Sequence, residues 1–387
     1  MSKLTEVYDT VVVGAGPSGL QTARLMAEKG RRVLVLEKKE SVGQDIVCTG
    51  IIGKSVFQEF DLPRTSLVRD IQAVDLVSPL GTTISYSHSA PFASVVDRSL
   101  FDRNIAALVE KAGGRICCGF EVNDLVVHPN RMDILCRDDK GETWTFRSRA
   151  AVIATGVNSV LKKKLKLGAS KEYVNAVQTV AGNTGIGRTT VYFGNRVAPG
   201  AFAWAVPAGD ITRIGLFTNK ESKAYFDRFL GKHFPEAASN GAREKTRYKP
   251  IVQGAYARTF SDRLLVVGEA AGQVKTTTGG GVYFGMIGAR YAASVLEEAL
   301  QRDRLTGKDL APYEKQWKKH ILREILVGHY ARKIYSRMSD NQIEKLFILA
   351  KTNGVLPFIR ENGNFDWQSD LILGLVKKVP FLHSLLQ

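Results

Sequence analysis

The sequence predicts an α/β protein: a doubly wound domain, an inserted and mainly antiparallel β-sheet domain, and a helical C-terminal region. Three observations lead to this prediction. Apolar runs typical of buried parallel strands occur near residues 10, 35, 152 and 265, short strand-like runs fill the interval before the last of them, and the end of the chain is basic and helix-like. The expected boundaries are residues 1–160 with 255–300, residues 160–255, and residues 301–387.

Composition is that of an ordinary folded protein. The 387 residues are 44% hydrophobic and 24% charged, enough for a core that needs no disulfides. The four cysteines show neither C-x-x-C pairing nor zinc-ligand spacing, so we expect no disulfide framework and no metal site. No leader-like segment and no apolar run of membrane-spanning length is visible. We therefore expect a cytoplasmic protein whose membrane contact, if any, is peripheral.

The chain is strongly basic. It carries 54 Lys and Arg against 38 Asp and Glu, a formal net charge of +16. Such an excess attracts polyanions, and an anionic membrane surface fits better than nucleic acid because no nucleic-acid motif occurs. A generally basic proteome explains the charge equally well, and the two readings stay open.

The first elements form a β-α-β unit. Residues 8–13 are an apolar run that suits a buried strand, and residues 17–29 have helical apolar spacing that ends at Gly30. Residues 32–37 form the second buried strand. The spacing is that of a parallel pair joined by a crossover helix.

The elements that follow alternate between helix and strand. Residues 97–112 have the apolar spacing of a helix, which two glycines end. Strand-like runs follow at 120–127, 132–137, 142–148 and 150–154.

From about residue 160 to 255 the pattern is mostly of short strands. The clearest hairpin joins residues 202–207 to residues 211–217. Residues 264–267 return to the buried-strand pattern, and a helix is expected at about 282–300, after a glycine-rich turn.

The turn between the first strand and the first helix reads Gly14-Ala15-Gly16-Pro17-Ser18-Gly19. Its glycines permit a tight turn, a close approach of backbone to pyrophosphate, and close helix–strand packing. The helix N-terminus offers unpaired N–H groups to the phosphates. Glu37, at the end of the second strand, is placed to accept hydrogen bonds from ribose hydroxyls. These features predict a dinucleotide site and leave NAD and FAD open.

Two further segments indicate which of the two dinucleotides binds. The first, Ala154-Thr155-Gly156, closes a strand, and the second, Gly268-Glu269-Ala270-Ala271-Gly272, follows another. Together with the first turn, the layout resembles the FAD-dependent oxidoreductases of the para-hydroxybenzoate hydroxylase-like superfamily. The resemblance implies FAD, with Glu269 in place of the usual Asp at its ribityl–ribose region. Lys38, beside Glu37, belongs to the same expected FAD site.

The segment of residues 268–281 resembles the geranylgeranyl reductase family. In that family backbone amides face the flavin ring, a role that the resemblance gives to Gly279, Gly280, Gly281 and Val282. Consecutive glycines let the main chain lie flat against a planar ring. Cys48, within residues 43–50, is similar to a cysteine that the family places near the flavin. Arg98 stands at a helix start where the superfamily places an arginine near the flavin.

Residues 199–207 are similar to the family's substrate-domain motif of alternating aromatics and proline. Phe202 stands where that motif has Tyr and Val206 where it has Phe, and the strand also resembles the Trp-rich strand of flavin-dependent halogenases. Alternation puts Phe202, Trp204 and Val206 on one face. We therefore expect Phe202, Trp204 and Pro207 to contact substrate, with an ordinary apolar core as the alternative.

The resemblance implies an enzyme that reduces carbon–carbon double bonds of geranylgeranyl chains in lipids or prenyl diphosphates by hydride transfer from reduced FAD. Cys48 would position the substrate or handle a proton, or else be a buried inert thiol. The electron donor stays open among NAD(P)H, ferredoxin and a deazaflavin. Two other functions remain: a flavin-dependent monooxygenase or halogenase, and a non-catalytic flavin-containing lipid-binding protein.

Overall fold

The computed structural model describes residues 6–158, 160–168, 172–182, 184–255, 258–352 and 355–378. Its strands are, in chain order, β1 (Val7–Val13), β2 (Val33–Glu37), β3 (Ile51–Gly53), β4 (Leu67–Ile71), β5 (Ala73–Val77), β6 (Thr83–Ser87), β7 (Ala93–Val96), β8 (Arg115–Cys118), β9 (Glu121–Val127), β10 (Met132–Arg137), β11 (Thr143–Ile153), β12 (Tyr173–Gly182), β13 (Thr189–Phe193), β14 (Phe202–Ala208), β15 (Ile211–Thr218), β16 (Arg247–Val252), β17 (Phe260–Ser261) and β18 (Leu264–Val266). Its α-helices are α1 (Pro17–Ala27), α2 (Ser55–Glu59), α3 (Arg98–Lys111), α4 (Val160–Lys164), α5 (Ser222–His233), α6 (Pro235–Ser239), α7 (Val282–Gln301), α8 (Gly307–Tyr335), α9 (Asp340–Thr352), α10 (Val355–Asn362) and α11 (Ser369–Lys378).

The main sheet has the strand order β17-β18-β11-β1-β2-β8. Neighbours from β18 to β8 are parallel, and β17 runs antiparallel at the edge. The central strand β1 is buried on both faces, as its apolar run predicts. The predicted α/β fold class with a parallel, Rossmann-like sheet is confirmed.

The two faces of this sheet are covered differently. Helices α1, α3, α7 and α8 pack on one face, and their core includes Leu20, Ile105, Ile287 and Trp317. Strands β9 and β10, with the first half of β11, cover the other face with apolar side chains that alternate along each strand, such as Met132 and Ile134. The sheet is therefore enclosed between a helical layer and a β-meander.

Strand β11 joins two segments that the sequence predicted as separate strands, residues 142–148 and 150–154. Its first half pairs with β10, and its second half lies between β1 and β18. The separating residue is Arg149, whose guanidinium bonds to Asp9 at 3.1 Å and Asp303 at 2.7 Å. The charged residue did not break the strand because these carboxylates satisfy it at the sheet surface.

The second sheet has the order β16-β12-β15-β14-β13-β5-β6 and is antiparallel except between β13 and β5. The predicted hairpin forms β14 and β15. Two of the seven strands, β5 and β6, come from residues 73–87, within the range 1–160 that was expected to belong to the first domain. A small sheet of order β3-β7-β4 is built from strands that flank residues 73–87 in sequence.

A helix interrupts residues 160–255, where mostly short strands were expected. Helix α5 buries Phe226, Phe229 and Leu230 against the face of the second sheet that carries Ala203 and Ala205. The three residues recur at helical spacing, a signal that the strand-rich surroundings obscured.

The C-terminal region is helical, as predicted. Thr306 and Asp309 form a capping box that begins α8, and the buried side chains Tyr313, Trp317, Ile321 and Ile325 follow at four-residue spacing. Helix α9 packs against Ile84 of β6. Within the described ranges, none of the helices has the length and apolar character needed to cross a bilayer.

Candidate active site

One large cavity is lined by residues of both large sheets, the small sheet and the C-terminal helices. Its volume is about 1720 Å³. A pocket for one drug-sized ligand commonly measures about 300–1,000 Å³, so this cavity has room for more than one such ligand.

Most of the predicted site residues line this cavity: Gly14, Gly16, Pro17, Ser18, Glu37, Lys38, Cys48, Arg98, Ala154, Thr155, Gly156, Phe202, Trp204, Gly268, Glu269, Gly279, Gly280, Gly281 and Val282. Four predicted residues lie behind its wall: Gly19, Pro207, Ala270 and Gly272. The structure thus brings together segments that are up to 268 positions apart in the chain (14 to 282).

The three glycines of the first turn occupy three different environments. A Cβ at Gly14, whose φ is +107°, would lie 2.6 Å from the carbonyl oxygen of Ala154. A Cβ at Gly19 would collide with the carbonyl oxygen of Gly14, which shows how closely α1 packs on β1. A Cβ at Gly16 would meet no atom within 4 Å. Gly16 is therefore the position where a ligand can approach the backbone.

Glu37 holds the first turn from the end of β2. Its carboxylate accepts hydrogen bonds from the backbone N–H of Ala15 at 2.8 Å and of Lys39 at 3.1 Å. A carboxylate has more lone pairs than these two bonds use, so it can also accept ribose hydroxyls. Helix α1 begins beside it with no side-chain cap, leaving its first N–H groups for an anion.

Ser18 joins the first turn to the second glycine segment. A Cβ at Gly268, whose φ is +69°, would lie 2.6 Å from Ser18 Oγ, and one at Gly285 in α7 would collide with the same oxygen. The Ser18 hydroxyl therefore fits between two glycines, at a separation that no larger residue would permit.

The second glycine segment is fixed from behind by a buried polar chain. Gln273 accepts a hydrogen bond from Gly268 N at 2.7 Å and donates to Tyr313 OH at 2.9 Å, and Tyr313 donates to the carbonyl of Val266 at 2.6 Å. The three bonds tie this turn to α8 and β18. Satisfied buried networks of this kind rigidify a site.

Glu269 lies on the cavity wall and is ion-paired with Lys249 at 2.9 Å. Behind it, the Lys162 ammonium donates to the carbonyl of Ala270 at 2.7 Å. Burial lowers the pKa of Lys162 to about 8, and the charge of Glu269 opposes that shift. Ala270 thus contributes through a backbone contact that faces away from the cavity.

The loop that carries Cys48 is held by the second sheet. Gln178 of β12 accepts from Thr49 Oγ1 at 3.1 Å and donates to the carbonyl of Cys48 at 3.3 Å. Arg213 of β15 donates to the carbonyl of Thr49 at 2.6 Å. Neither residue was singled out from the sequence, although a polar side chain within each apolar strand was the available signal.

Cys48 and Arg98 lie side by side on the cavity wall. Burial raises the pKa of the Cys48 thiol, but Arg98, the N–H of Gly50 and Lys249 together bring it below its ordinary value. Arg98, the first residue of α3, is buried and bonds to Asp102 at 2.9 Å and 3.2 Å. The arrangement makes the Cys48 thiol easier to deprotonate than an ordinary cysteine.

The donors that line the cavity fit an elongated ligand with an anionic part and a planar part. The Nε–H of Arg98 is buried and has no hydrogen-bond partner within the described chain. The α1 N-terminus and the open space at Gly16 suit phosphates. Gly279, with φ +72°, packs its loop so tightly on Phe217 that a Cβ would lie 2.8 Å from the ring. A phosphate-bearing flavin would satisfy these groups.

An aromatic wall forms the other arm of the cavity. Phe202, Trp204 and Val206 lie on the same face of β14, as their alternation predicts, and Trp204 packs against Phe217 with ring centroids 4.7 Å apart. The indole N–H of Trp204 is buried without a partner among the described atoms. Pro207 follows on the opposite side of the strand and lies outside the cavity lining.

A buried ion pair at the cavity wall was missed by the sequence reasoning. Lys275 Nζ lies 2.6 Å from Asp366 Oδ1, with side chains 6% and 4% exposed, and 4.2 Å from the centre of the Phe365 ring. The pair joins the glycine loop to the segment between α10 and α11. Its partners are 91 positions apart, and no local pattern pairs them.

Side chains suited to a metal are scattered. Among the described residues, no three His, Cys, Asp or Glu side chains are grouped so that they could hold a metal ion, and all four cysteines are free thiols.

Comparison with known proteins agrees with this geometry. The Thi4 family matches residues 1–185. The digeranylgeranylglycerophospholipid reductase of Methanocaldococcus jannaschii is 31% identical over 366 residues, which cover 89% of this chain and 91% of that protein. The fold matches that of a geranylgeranyl bacteriochlorophyll reductase-like protein from Thermoplasma acidophilum (TM-score 0.85, 23% identity, 98% of each chain). It also matches a flavin-dependent brominase (TM-score 0.71, 16% identity, 97% of this chain and 99% of the other). The chain therefore belongs to the geranylgeranyl reductase family, as a relative of the digeranylgeranylglycerophospholipid reductases.

Proposed function

We propose that this protein is an FAD-dependent reductase that saturates carbon–carbon double bonds of geranylgeranyl chains in isoprenoid lipids or prenyl diphosphates. One observation carries the proposal: a single cavity joins the glycine turns at Gly16 and Gly279 to the aromatic arm at Trp204. A flavin and a long apolar chain can therefore meet in one cavity. Its relative from Methanocaldococcus jannaschii bears the name of a reductase of a digeranylgeranyl lipid.

The proposed FAD site uses the residues on the polar half of the cavity. The α1 N-terminus would bind the pyrophosphate, Glu37 a ribose, and Glu269 the ribityl–ribose region, where Lys249 balances its charge. Arg98 would donate its unpaired N–H to the flavin region. When bound, FAD supplies the hydride chemistry, which side chains cannot provide.

The chain's own contribution to the reaction is orientation and exclusion of water. An isolated alkene is a poor electrophile, so its position relative to the hydride donor decides the rate. Phe202 and Trp204 would hold the chain flat in the aromatic arm, since both side chains line it. Cys48 lies where it can position the alkene or hold a proton at Sγ, and its contact with the N–H of Gly50 at 3.3 Å orients that sulfur.

The partners of the enzyme follow from the same chemistry. The electron donor is NAD(P)H, ferredoxin or a deazaflavin, to be identified by which of them reduces the purified flavoprotein. We place the protein in the cytoplasm with peripheral contact at anionic membranes, because its net charge of +16 attracts such surfaces. Binding to anionic vesicles that persists unchanged at high salt would contradict this placement.

Reduction itself is tested anaerobically. The chemically reduced protein is incubated with geranylgeranyl diphosphate and with an unsaturated ether lipid, and mass spectrometry measures added pairs of hydrogen atoms. The flavin-free protein is the control. Failure to add hydrogen to either substrate, with flavin that stays bound and reduced, would favour the lipid-binding alternative. Oxygen consumption stimulated by an aromatic substrate would instead favour the monooxygenase or halogenase.

A further inference from the structure

Arg332 differs from the other cations that line the cavity. Lys39 donates to backbone carbonyls, and the cavity-lining cations that are paired with a carboxylate are Lys54, Arg98, Lys164, Lys249 and Lys275. Within the described part of the chain, Arg332 forms no hydrogen bond or ion pair, and its Nε is buried. Among the cavity-lining cations, and as far as the described residues go, only Lys38, an exposed residue at the expected cofactor end, shares this lack of a partner.

The position of Arg332 is fixed by α8. Gly328 lies against the loop before the three glycines, since a Cβ there would be 2.7 Å from Thr276 Oγ1 and 2.9 Å from the Thr277 methyl. Arg332 follows one turn later, about 6 Å along the helix axis. Tyr335, another cavity residue of α8, continues the same wall and packs edge-on against Phe193 at 6.1 Å. The cation is therefore close to the loop expected at the flavin and is followed by aromatic wall.

The charges around Arg332 leave it available for a ligand. Glu172, the carboxylate whose charge reaches it, is ion-paired with Lys333 at 3.1 Å and lies 3.5 Å from His329. Burial lowers the pKa of Arg332 more than Glu172 raises it. A partly desolvated guanidinium without a paired anion is costly, and an anionic ligand group removes that cost.

We propose that Arg332 binds the phosphate head group of the isoprenoid substrate and thereby fixes which part of the chain reaches the flavin loop. This rests on the proposed function and adds to it a subsite for a phosphate ester. A guanidinium suits phosphate because its N–H groups bind two oxygens at once. The aromatic arm of the same cavity, at Phe202 and Trp204, then receives the prenyl chain of the same molecule.

The test measures binding to the oxidised, flavin-loaded protein, so that no turnover is needed. The ligands are geranylgeranyl diphosphate, uncharged geranylgeraniol and inorganic pyrophosphate, each followed by equilibrium dialysis. Replacing Arg332 by Gln is expected to weaken geranylgeranyl diphosphate binding about 10- to 100-fold, the usual effect of losing a charge-assisted contact, and to leave geranylgeraniol within about twofold. Arg332→Lys should keep part of the affinity, since it retains the charge but loses the planar fork.

Arg337→Gln is the matched control. It removes the same charge from an exposed position just beyond the end of α8, outside the cavity lining, and should change the binding of none of the three ligands. Should Arg332→Gln fail to fold, salt titration of the unaltered protein gives the answer. Binding of the diphosphate should weaken with salt while binding of the alcohol does not.

Three results would overturn the assignment. They are equal loss of both prenyl ligands in Arg332→Gln, loss of neither, and inorganic pyrophosphate binding as tightly as the prenyl diphosphate. The last would mean a site for free phosphate. Binding that depends on Arg332 in a protein that reduces no alkene would support this subsite and reject the proposed reaction. Alkene reduction that does not depend on Arg332 would support the proposed reaction and reject this subsite.

Discussion

The buried pair of Lys275 and Asp366 should show strong energetic coupling. Removing one partner of a buried ion pair leaves the other charge uncompensated, which costs about 3–5 kcal/mol. Asp366→Asn should lower the free energy of unfolding by about 3 kcal/mol, because the Lys275 ammonium keeps its contacts with the Phe365 carbonyl at 3.3 Å and with the Phe365 ring at 4.2 Å. Lys275→Met should lower the free energy of unfolding by about 5 kcal/mol, because the Asp366 carboxylate then faces Gly53 without a cation. The double variant should lose less than Lys275→Met alone, since no unpaired charge remains.

The assay is chemical denaturation of the flavin-loaded protein, with all four members of the cycle measured at one pH. The exposed pair of Arg323 and Asp370 is the control, since it joins α8 to α11 at a similar distance, 2.7 Å, but with side chains 59% and 83% exposed. Its removal should cost at most about 1 kcal/mol. If the losses of the two buried single variants simply add in the double variant, the two charges are not coupled and the reasoning is wrong.

Two further predictions concern the polar half of the cavity. Gly14→Ala should lower the thermal stability, because the φ of +107° at Gly14 and the Ala154 carbonyl oxygen at 2.6 Å both oppose a Cβ. Gly16→Ala should fold normally and instead weaken flavin binding by at least about tenfold, measured by flavin content after dialysis. A stable Gly14→Ala variant with full flavin would contradict this division of roles. Arg98→Met should move the pH profile of Cys48 alkylation to higher pH, because burial alone raises the thiol pKa and Arg98 is the largest influence that lowers it. An unchanged profile would show that Arg98 does not act on the sulfur.

Local patterns predicted the parts of this molecule that depend on nearby residues. The first glycine turn, Glu37 and the helix at Arg98 each follow from a few consecutive residues, and the structure brings them to one cavity. The hairpin at β14 and β15 follows from alternation and turn chemistry. Membership of the geranylgeranyl reductase family was likewise visible in short motifs.

What the sequence did not reveal depends on distant contacts. Residues 142–148 and 150–154 were predicted as two strands but form one, because the carboxylates that satisfy the intervening Arg149 come from far along the chain. Lys275, Asp366 and Arg332 are ordinary charged residues in sequence, and only the packing of α8 and the segment after α10 gives them a common cavity. The placement of residues 73–87 in the second sheet is a parallel pairing across more than a hundred residues, for which no local signal exists.

The contact of Ser18 with Gly268 and Gly285 has a consequence for biosynthesis. Ser18 and Gly268, which face each other in the proposed flavin site, are synthesised 250 residues apart (18 to 268). A nascent chain that ends before residue 268 has the first glycine turn without its partner segment, so we expect capture of the proposed flavin to follow synthesis of the later segment rather than guide folding of the earlier one.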